Sequence, residues 1–242
     1  MTSRSFDSSQ SNAAKVLGLS YLPSFLLLAA VNFGILQPLL SGPDPAQIAR
    51  NILTHETLFR AGLVGIMLYS VGVLVQSTSL YVILKSVDRN LALFATFSRL
   101  AQGYIWLLVV LNLFTALRLL SHPEYAALPS DQLPALARLY LSGFDQYYVG
   151  LLFWSLASGV GAYLWLKSHY IHSALAAFGV LASAWCVGCT IALFIFPDFS
   201  KTVNLWWFDM PMVLFEIVLS FLLLFRGLRT RDRESIPCEK HA

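Results

Sequence analysis

The stretch "FATFSRLAQGYIWLLVVLNLF", residues 94–114, decides the fold class of this chain. It is long and apolar enough to cross a bilayer as one helix, which takes about 20 residues. It nevertheless contains one arginine, Arg99. A charged side chain within lipid costs at least about 2.5–3.5 kcal/mol unless it is paired or solvated, so such residues face the interior of a helix bundle. The stretch therefore predicts a membrane-spanning helix and a buried partner for Arg99.

The composition of the whole chain agrees with a membrane protein. Of its 242 residues, 57% are hydrophobic and only 12% are charged, whereas a soluble domain is about 45–50% apolar and about 25% charged. The net charge of +3 is small, and the basic residues cluster only in the C-terminal stretch from Arg226 to Arg233. That cluster is more typical of a cytoplasmic flank than of an RNA-binding tail. We expect the lipid bilayer as partner, and no nucleic acid.

Six apolar runs have the length of a spanning helix, at residues 17–40, 61–84, 91–117, 145–166, 172–196 and 205–225. They are continuous and lack the alternating, roughly ten-residue pattern of barrel strands. The first run is longer than the 7–15 apolar residues of a signal peptide, which favours a retained span over a cleaved one. The sequence predicts an all-α polytopic bundle of six transmembrane helices. We expect a polar tail at 1–15, one transmembrane domain at 16–228 and a basic tail at 229–242.

The distribution of Lys and Arg predicts the orientation, because cytoplasmic flanks carry the excess. If both termini are cytoplasmic, the basic residues inside are Arg4, Lys15, Lys85, Arg89, Lys167, Arg226, Arg229, Arg231, Arg233 and Lys240. Those outside are then Arg50, Arg60, Arg118, Arg138 and Lys201. The excess on one side predicts that the N and C termini are both cytoplasmic.

Two outer loops are expected to contain surface helices. In the first, Asp44 can cap a helix, Pro45 suits its first position, and Gln47 is placed to complete a capping box. Its expected apolar stripe is Ala49, Ile52 and Leu53. In the second loop, a helix can start at Ser130 or Asp131, with Pro134 in its first turn, and run into the fourth span.

Several stretches occur in an order and spacing that point to a family. They are "NILTHETLFRAGL" (51–63), "FSRLAQ" (97–102), "GLLFWSLASGVGAYLWLKSHYI" (150–171), "ALAAFGVLAS" (174–183) and "FEIVLSFLLLFRGLR" (215–229). Over about residues 15 to 230, the chain resembles a bacterial membrane-protein family catalogued as domain of unknown function 4386. The resemblance implies six helices in a bacterial membrane, which we take as the inner (plasma) membrane, and implies no known reaction. Members often carry proline where this chain has His172.

The depths of two opposite charges predict the partner of Arg99. Arg99 lies nine residues from Asn90, and Glu216 lies ten residues before Arg226. At 1.5 Å per residue, the two side chains reach roughly 14 and 15 Å inside the cytoplasmic edge. Because the planar guanidinium can bind a carboxylate through two nitrogens, we predict an Arg99–Glu216 pair.

Three further polar residues are expected at the same level. Gln76 lies nine residues from Lys85, and Ser158 lies nine residues from Lys167. Gln102, one helical turn above Arg99, is a further candidate. The predicted buried polar layer is therefore Gln76, Arg99, Gln102, Ser158 and Glu216. It either fixes the order and register of the helices or lines a cavity that binds a ligand, an ion or a proton.

A second polar group is predicted in the outer half of the bundle. This possible outer pocket comprises Asn32, Asn112, Asp145 and Asp209. Asp209 lies beside Trp206 and Trp207, which resemble the aromatic belt of a membrane interface, so it alternatively faces water.

Reactive motifs do not stand out in the sequence. We find no phosphate-binding loop, no dinucleotide fingerprint, no H-E-x-x-H and no G-x-S-x-G, so no catalytic residue, cofactor or metal is predicted. Cys186 and Cys189 form a C-x-x-C that is either a redox or metal motif or, as we favour, small packing residues. His169 and His172, three residues apart, belong to a short turn, which we favour over a metal site.

The sequence is compatible with three classes of function. The favoured one is a non-enzymatic membrane protein of structural, sensory or regulatory kind. The second is a transporter of a small solute or ion that uses the Arg99 and Glu216 layer, although we see no internal repeat of the kind that transporters commonly display. The third is an intramembrane lipid-modifying enzyme.

Overall fold

The computed structural model describes residues 8–121, 132–196, 198–203 and 205–228. Six of the helices in these residues are long and apolar enough to cross a membrane. The prediction of an all-α protein with six such helices is confirmed. The spans, numbered in chain order, are Ser8–Leu40, Glu56–Leu84, Arg89–Ser121, Tyr147–Ser168, Ser173–Ile195 and Leu205–Phe225.

The first span changes its helical pitch near its end. It is α-helical over Ser8–Val31, π-helical over Asn32–Leu36 and α-helical again over Gln37–Leu40. In the π-helical turn, the backbone N–H of Gln37 donates to the carbonyl of Asn32, five residues back. Pro38 follows directly, and proline has no N–H and collides with the carbonyl four residues before it. The wider turn accommodates Pro38 without ending the helix.

The first surface helix, Pro45–Thr54, begins as the sequence predicts, but its capping box is incomplete. The backbone N–H of Gln47 donates to Asp44 Oδ1 at 2.7 Å, so Asp44 is the N-cap. The prediction of the reciprocal bond, in which the Gln47 side chain accepts from the backbone N–H of Asp44, is wrong. Gln47 Oε1 accepts instead from Nη2 of Arg50 at 2.7 Å, and Gln47 Nε2 donates to Asn51 Oδ1 at 2.9 Å, because both partners lie one turn along the same face.

The apolar stripe of this helix is also shifted from the predicted one. Ala49 and Ile52 are buried as expected, but Leu53 is exposed and Ile48 is buried in its place. Ile48 and Ile52 are four residues apart and lie on one helical face, whereas Leu53 is rotated away from it.

The second surface helix, Leu133–Leu141, continues through a 3₁₀ segment, Ser142–Gln146, into the fourth span. The predicted continuity is confirmed, and Pro134 lies in the first turn. The predicted start positions, Ser130 and Asp131, lie outside the described residues.

The six spans form a closed ring in which each contacts its neighbours in the sequence. The first span completes the ring by packing on both the second and the sixth. In this order the third span stands opposite the sixth, and the first stands opposite the fourth. Side chains that meet from opposite spans must therefore do so at the centre of the bundle.

Two of the apolar clusters in the bundle lie above and below one level. Along the second span, Val73 belongs to one cluster and Leu80 to the other. Along the third span, Ala95 and Trp106 divide in the same way. The level between them is the one at which the sequence predicts the polar layer.

Small residues allow the spans to approach closely at particular crossings. Ser220 Oγ of the sixth span donates to the carbonyl of Gly18 of the first span at 2.6 Å. Gly179 of the fifth span lies against the Phe215 ring, and a Cβ at that position would be 2.6 Å from two ring carbons. Such contacts between backbone and side chain are how helices associate in lipid.

Candidate functional site

The centre of the bundle contains a bidentate ion pair between Arg99 and Glu216. Nη1 of Arg99 lies 2.9 Å from Oε1 of Glu216, and Nη2 lies 3.0 Å from Oε2. The Arg99 side chain is 3% exposed, and that of Glu216 is 0% exposed. The pairing predicted from helical depth is present, and it joins the third span to the sixth across the ring.

The Glu216 carboxylate receives two further hydrogen bonds. The indole Nε1 of Trp154 donates to Oε1 at 2.8 Å, and the hydroxyl of Ser158 donates to the same oxygen at 2.7 Å. Trp154 and Ser158 are four residues apart on the fourth span, so they share one face of that helix. With both guanidinium nitrogens, the carboxylate accepts four hydrogen bonds, which are charge-assisted and compensate for the loss of water.

The Arg99 guanidinium has its own set of neighbours. Nη2 donates to Oε1 of Gln76 at 2.8 Å, and Nη1 lies 3.5 Å from the Ser158 hydroxyl. The Cζ atom lies 5.4 Å from the centre of the Tyr21 ring and 5.9 Å from that of Trp154. Aromatic faces within about 6 Å attract a cation, and more strongly where water is excluded. Five of the six spans thus contribute to the layer.

Gln102 lies beside the layer and makes no hydrogen bond to it. Its Nε2 donates to the Tyr69 hydroxyl at 3.0 Å. Two buried atoms on this stretch of the third span, Nε of Arg99 and Oε1 of Gln102, have no hydrogen-bond partner among the described residues. One is a donor and the other an acceptor, and they belong to residues one helical turn apart.

Three aromatic residues of the site were not predicted from the sequence. Tyr21, Tyr69 and Trp154 each contact Arg99, Glu216 or Gln102. For Trp154 a signal was present, because it lies one turn from Ser158 and an indole N–H needs an acceptor when it is buried. Tyr21 and Tyr69 resemble the other aromatic residues of the spans, and the sequence does not single them out.

Two cavities lie away from this centre. The larger, of about 530 Å³, is a groove between the second and third spans, and the smaller, of about 160 Å³, is lined by residues that include Arg138 and Asp145. Neither has Arg99 or Glu216 in its wall. The charge pair is therefore enclosed by protein side chains and lies outside both cavities.

The comparison with known families identifies the chain. The model of a domain of unknown function, DUF4386, matches residues 16–227, which is most of the sequence. The chain belongs to the DUF4386 family. The resemblance inferred from the sequence motifs is confirmed. No curated protein and no solved structure matches this DUF4386 chain.

The residues of the predicted outer pocket are not joined to one another by hydrogen bonds in this DUF4386 protein. Asn112 donates to Gln146 at 2.8 Å, Asp145 lines the smaller cavity, and Asp209 is half-buried in the sixth span. Asn32 lies in the π-helical turn of the first span. No hydrogen bond or ion pair joins any two of the four. Asn112 of the third span lies beside the 3₁₀ segment that contains Asp145, but its amide donates to Gln146 instead. Asn32 and Asp209 belong to neighbouring spans, the first and the sixth, and no hydrogen bond joins their side chains.

Cys186 and Cys189 are free thiols in an apolar cluster of the DUF4386 bundle. They pack beside Trp154 and Phe208 in that cluster. Their position agrees with the interpretation that they are small packing residues. Among the described residues, no group of three or more His, Cys, Asp or Glu side chains is placed to hold a metal ion.

The hydrogen bonds of the buried polar layer decide what each of its side chains can do. The Ser158 hydroxyl donates to a carboxylate that already binds a guanidinium and an indole. All the hydrogen bonds that Glu216 accepts come from protein donors, and the Ser158 hydroxyl is one of those donors. The arrangement is suited to holding the helices together.

Proposed function

We propose that this protein is a non-enzymatic multi-pass protein of the bacterial inner membrane, with a structural, sensory or regulatory role. In this proposal the Arg99–Glu216 layer fixes the order and register of the spans. One observation carries it: Glu216 is fully buried, and its four hydrogen bonds all come from protein groups of the third and fourth spans.

The position of the pair across the ring supports a role in register. A slip of the sixth span by one helical turn would move Glu216 by about 5.4 Å and leave both charges unpaired in the bundle. Separating the partners of a buried ion pair costs far more free energy than the intact pair contributes. The pair therefore acts mainly by destabilising arrangements in which the spans are out of register. Buried polar groups that specify register are well known in helix bundles.

The proposed orientation places both termini in the cytoplasm. It is supported by the excess of Lys and Arg on that side, which includes Lys85, Arg89 and Lys167 in the short loops. Fusions of alkaline phosphatase and of a green fluorescent protein to the C terminus test it. Fluorescence with no phosphatase activity is expected, and the opposite result contradicts the orientation.

Access of water to the layer tests the structural role. A Ser158→Cys variant is made in a chain whose native cysteines are removed by Cys186→Ala, Cys189→Ala and Cys238→Ser. We expect no labelling by a membrane-impermeant thiol reagent from either side of the membrane. Lys85→Cys, at an exposed position, is the positive control. Labelling of Ser158→Cys would contradict a sealed layer.

One observation favours a second candidate, a transporter of a small solute or ion. The unpartnered Nε of Arg99 and Oε1 of Gln102 offer a donor and an acceptor deep in the bundle. Ionisable residues within spans commonly mark substrate pathways. This candidate requires that water reach the layer in some state of the protein, so labelling of Ser158→Cys would support it.

A further inference from the structure

The larger cavity is an apolar groove on the outer surface of the bundle. It has a volume of about 530 Å³ and lies between the second and third spans. This volume is within the range of about 300–1,000 Å³ that is typical of small-molecule sites. The wall includes one charged residue, Arg60, and its apolar residues include Val64, Met67, Leu107, Leu111 and Phe114.

The groove has a polar end and runs toward the middle of the membrane. Arg60 lies one turn from the start of the second span at Glu56, and Met67 lies about 10 Å further along that helix. On the antiparallel third span, Phe114 lies about 10 Å from the end at Ser121. The charged end is thus at the depth of lipid head groups, and the apolar part is at the depth of acyl chains.

The apolar walls of the groove face the surroundings of the protein. Val64, Met67 and Leu111 are each about half exposed in the folded chain. For helices long and apolar enough to span a membrane, those surroundings are lipid. The groove is therefore shaped and placed to hold an acyl chain.

The polar end presents two opposite charges, each with an open atom. Arg60 and Glu56 form an exposed pair in which Nε and Nη2 of Arg60 each lie 2.7 Å from Oε1 of Glu56. Among the described residues, Nη1 of Arg60 and Oε2 of Glu56 take part in no hydrogen bond or ion pair. A positively charged hydrogen-bond donor and a negatively charged acceptor are thus both available at the mouth of the groove.

We propose that this groove binds a zwitterionic phospholipid whose head group carries a primary ammonium beside its phosphate. The phosphate accepts from Nη1 of Arg60, the ammonium donates to Oε2 of Glu56, and one acyl chain occupies the groove. A head group with a phosphate alone satisfies Arg60 but is repelled by Glu56. A quaternary ammonium has no N–H to donate and fits Glu56 less well. The proposal depends on the membrane location and not on the orientation or the non-enzymatic role.

Native mass spectrometry of the full-length protein in detergent tests the proposal. The probes are phosphatidylethanolamine, phosphatidylglycerol and phosphatidylcholine with identical acyl chains. We expect phosphatidylethanolamine to bind about fivefold more tightly than phosphatidylglycerol, the upper effect of one exposed ion pair. Equal binding of the three lipids would overturn the proposal.

Two charge variants separate the contributions of the head group. Glu56→Gln should abolish the preference for phosphatidylethanolamine over phosphatidylglycerol, while Arg60→Gln should weaken the binding of both by about fivefold. Arg50→Gln, which removes an exposed arginine of the neighbouring surface helix, should change neither. A preference that persists in Glu56→Gln would overturn the assignment of the ammonium.

Two size variants test the groove itself. Val64→Trp fills the groove from an exposed position and should weaken the binding of all three lipids, whereas Val71→Trp, two turns along the same helix and also exposed, should leave it unchanged. Circular dichroism checks that each variant is folded. Lipid binding by Val64→Trp at the wild-type level would overturn the proposal. So would a wild-type dimer that is lost only in Val64→Trp, because a second copy of the chain would then occupy the groove.

Discussion

Arg99 and Glu216, 117 positions apart in the sequence, lie in contact through two nearly equal distances of 2.9 and 3.0 Å. Their spans stand opposite each other in the ring, so only long side chains can bridge them. Trp154, Ser158 and Gln76 complete the coordination of the pair from the second and fourth spans. The bundle is thus organised around one buried charge pair that contacts most of its helices.

Removing one charge of the pair should destabilise the protein strongly. Glu216→Gln leaves the Arg99 guanidinium buried without a counter-charge, and we expect a loss of about 3–5 kcal/mol in the free energy of unfolding. Ser158→Ala, which removes one hydrogen bond to the carboxylate, should cost only about 1.5–3 kcal/mol. Unfolding in mixed micelles of detergent and sodium dodecyl sulfate, followed by circular dichroism, measures both.

Exchange of the two charges tests whether they act as a pair. Arg99→Glu and Glu216→Arg each place two like charges at the centre of the bundle and should prevent stable folding. The double variant restores opposite charges and should recover part of the lost stability, although Trp154 then faces a guanidinium to which it cannot donate. A double variant no more stable than either single variant would show that the pair is not coupled.

Helical rise alone allowed the prediction of this pair, because depth in a membrane is a coordinate that the sequence contains. Arg99 and Glu216 reach the same level when their depths are counted from the polar flanks at Asn90 and Arg226. A charge within lipid must be paired or solvated, so the two were expected to meet. Gln76 and Ser158 followed from the same argument and lie in contact with the pair. The six spans and the capped helix at Asp44 were likewise readable from apolar length and local turn chemistry.

Features that depend on rotation about a helix axis could not be predicted in this way. Gln102 is at nearly the right depth, but its side chain contacts Tyr69 and not the ion pair. Asn32 and Asp209 lie toward the same end of the bundle on neighbouring spans, yet no hydrogen bond joins their side chains. The rotation of each helix about its axis decides such contacts, and helical depth carries no information about that rotation.

The Trp154 indole should contribute more than other indoles because its acceptor is a buried charge. Trp154→Phe removes the donor to Glu216, and hydrogen bonds to charged groups contribute about 1.5–3 kcal/mol. Trp185→Phe is a matched control, since its indole donates to the neutral, exposed carbonyl of Trp207 at 3.0 Å. Thermal unfolding in detergent should show a clearly larger loss for Trp154→Phe. Equal losses would indicate that the carboxylate does not depend on this bond.

The N-cap of the first surface helix should control local opening more than global stability. Asp44→Ala removes the acceptor for the Gln47 amide, a change that costs about 1 kcal/mol at a helix N terminus. Asp44→Asn keeps an acceptor and should behave like the wild type. Hydrogen exchange in Pro45–Thr54 measures the effect, and faster exchange there in Asp44→Asn as well would contradict the capping role.

Two glycines of the fifth span should respond oppositely to the same substitution. An alanine at Gly179 would place its Cβ 2.6 Å from ring carbons of Phe215, the residue that precedes Glu216. A Cβ at Gly188, by contrast, would have no neighbouring atom within 4 Å. Overpacking costs about 1–3 kcal/mol, so Gly179→Ala should lower the free energy of unfolding. Gly188→Ala should raise it by about 0.5–1 kcal/mol, the usual advantage of alanine within a helix. Unfolding in mixed micelles measures both variants, and a Gly179→Ala protein as stable as Gly188→Ala would show that the fifth and sixth spans are not in close contact at this crossing.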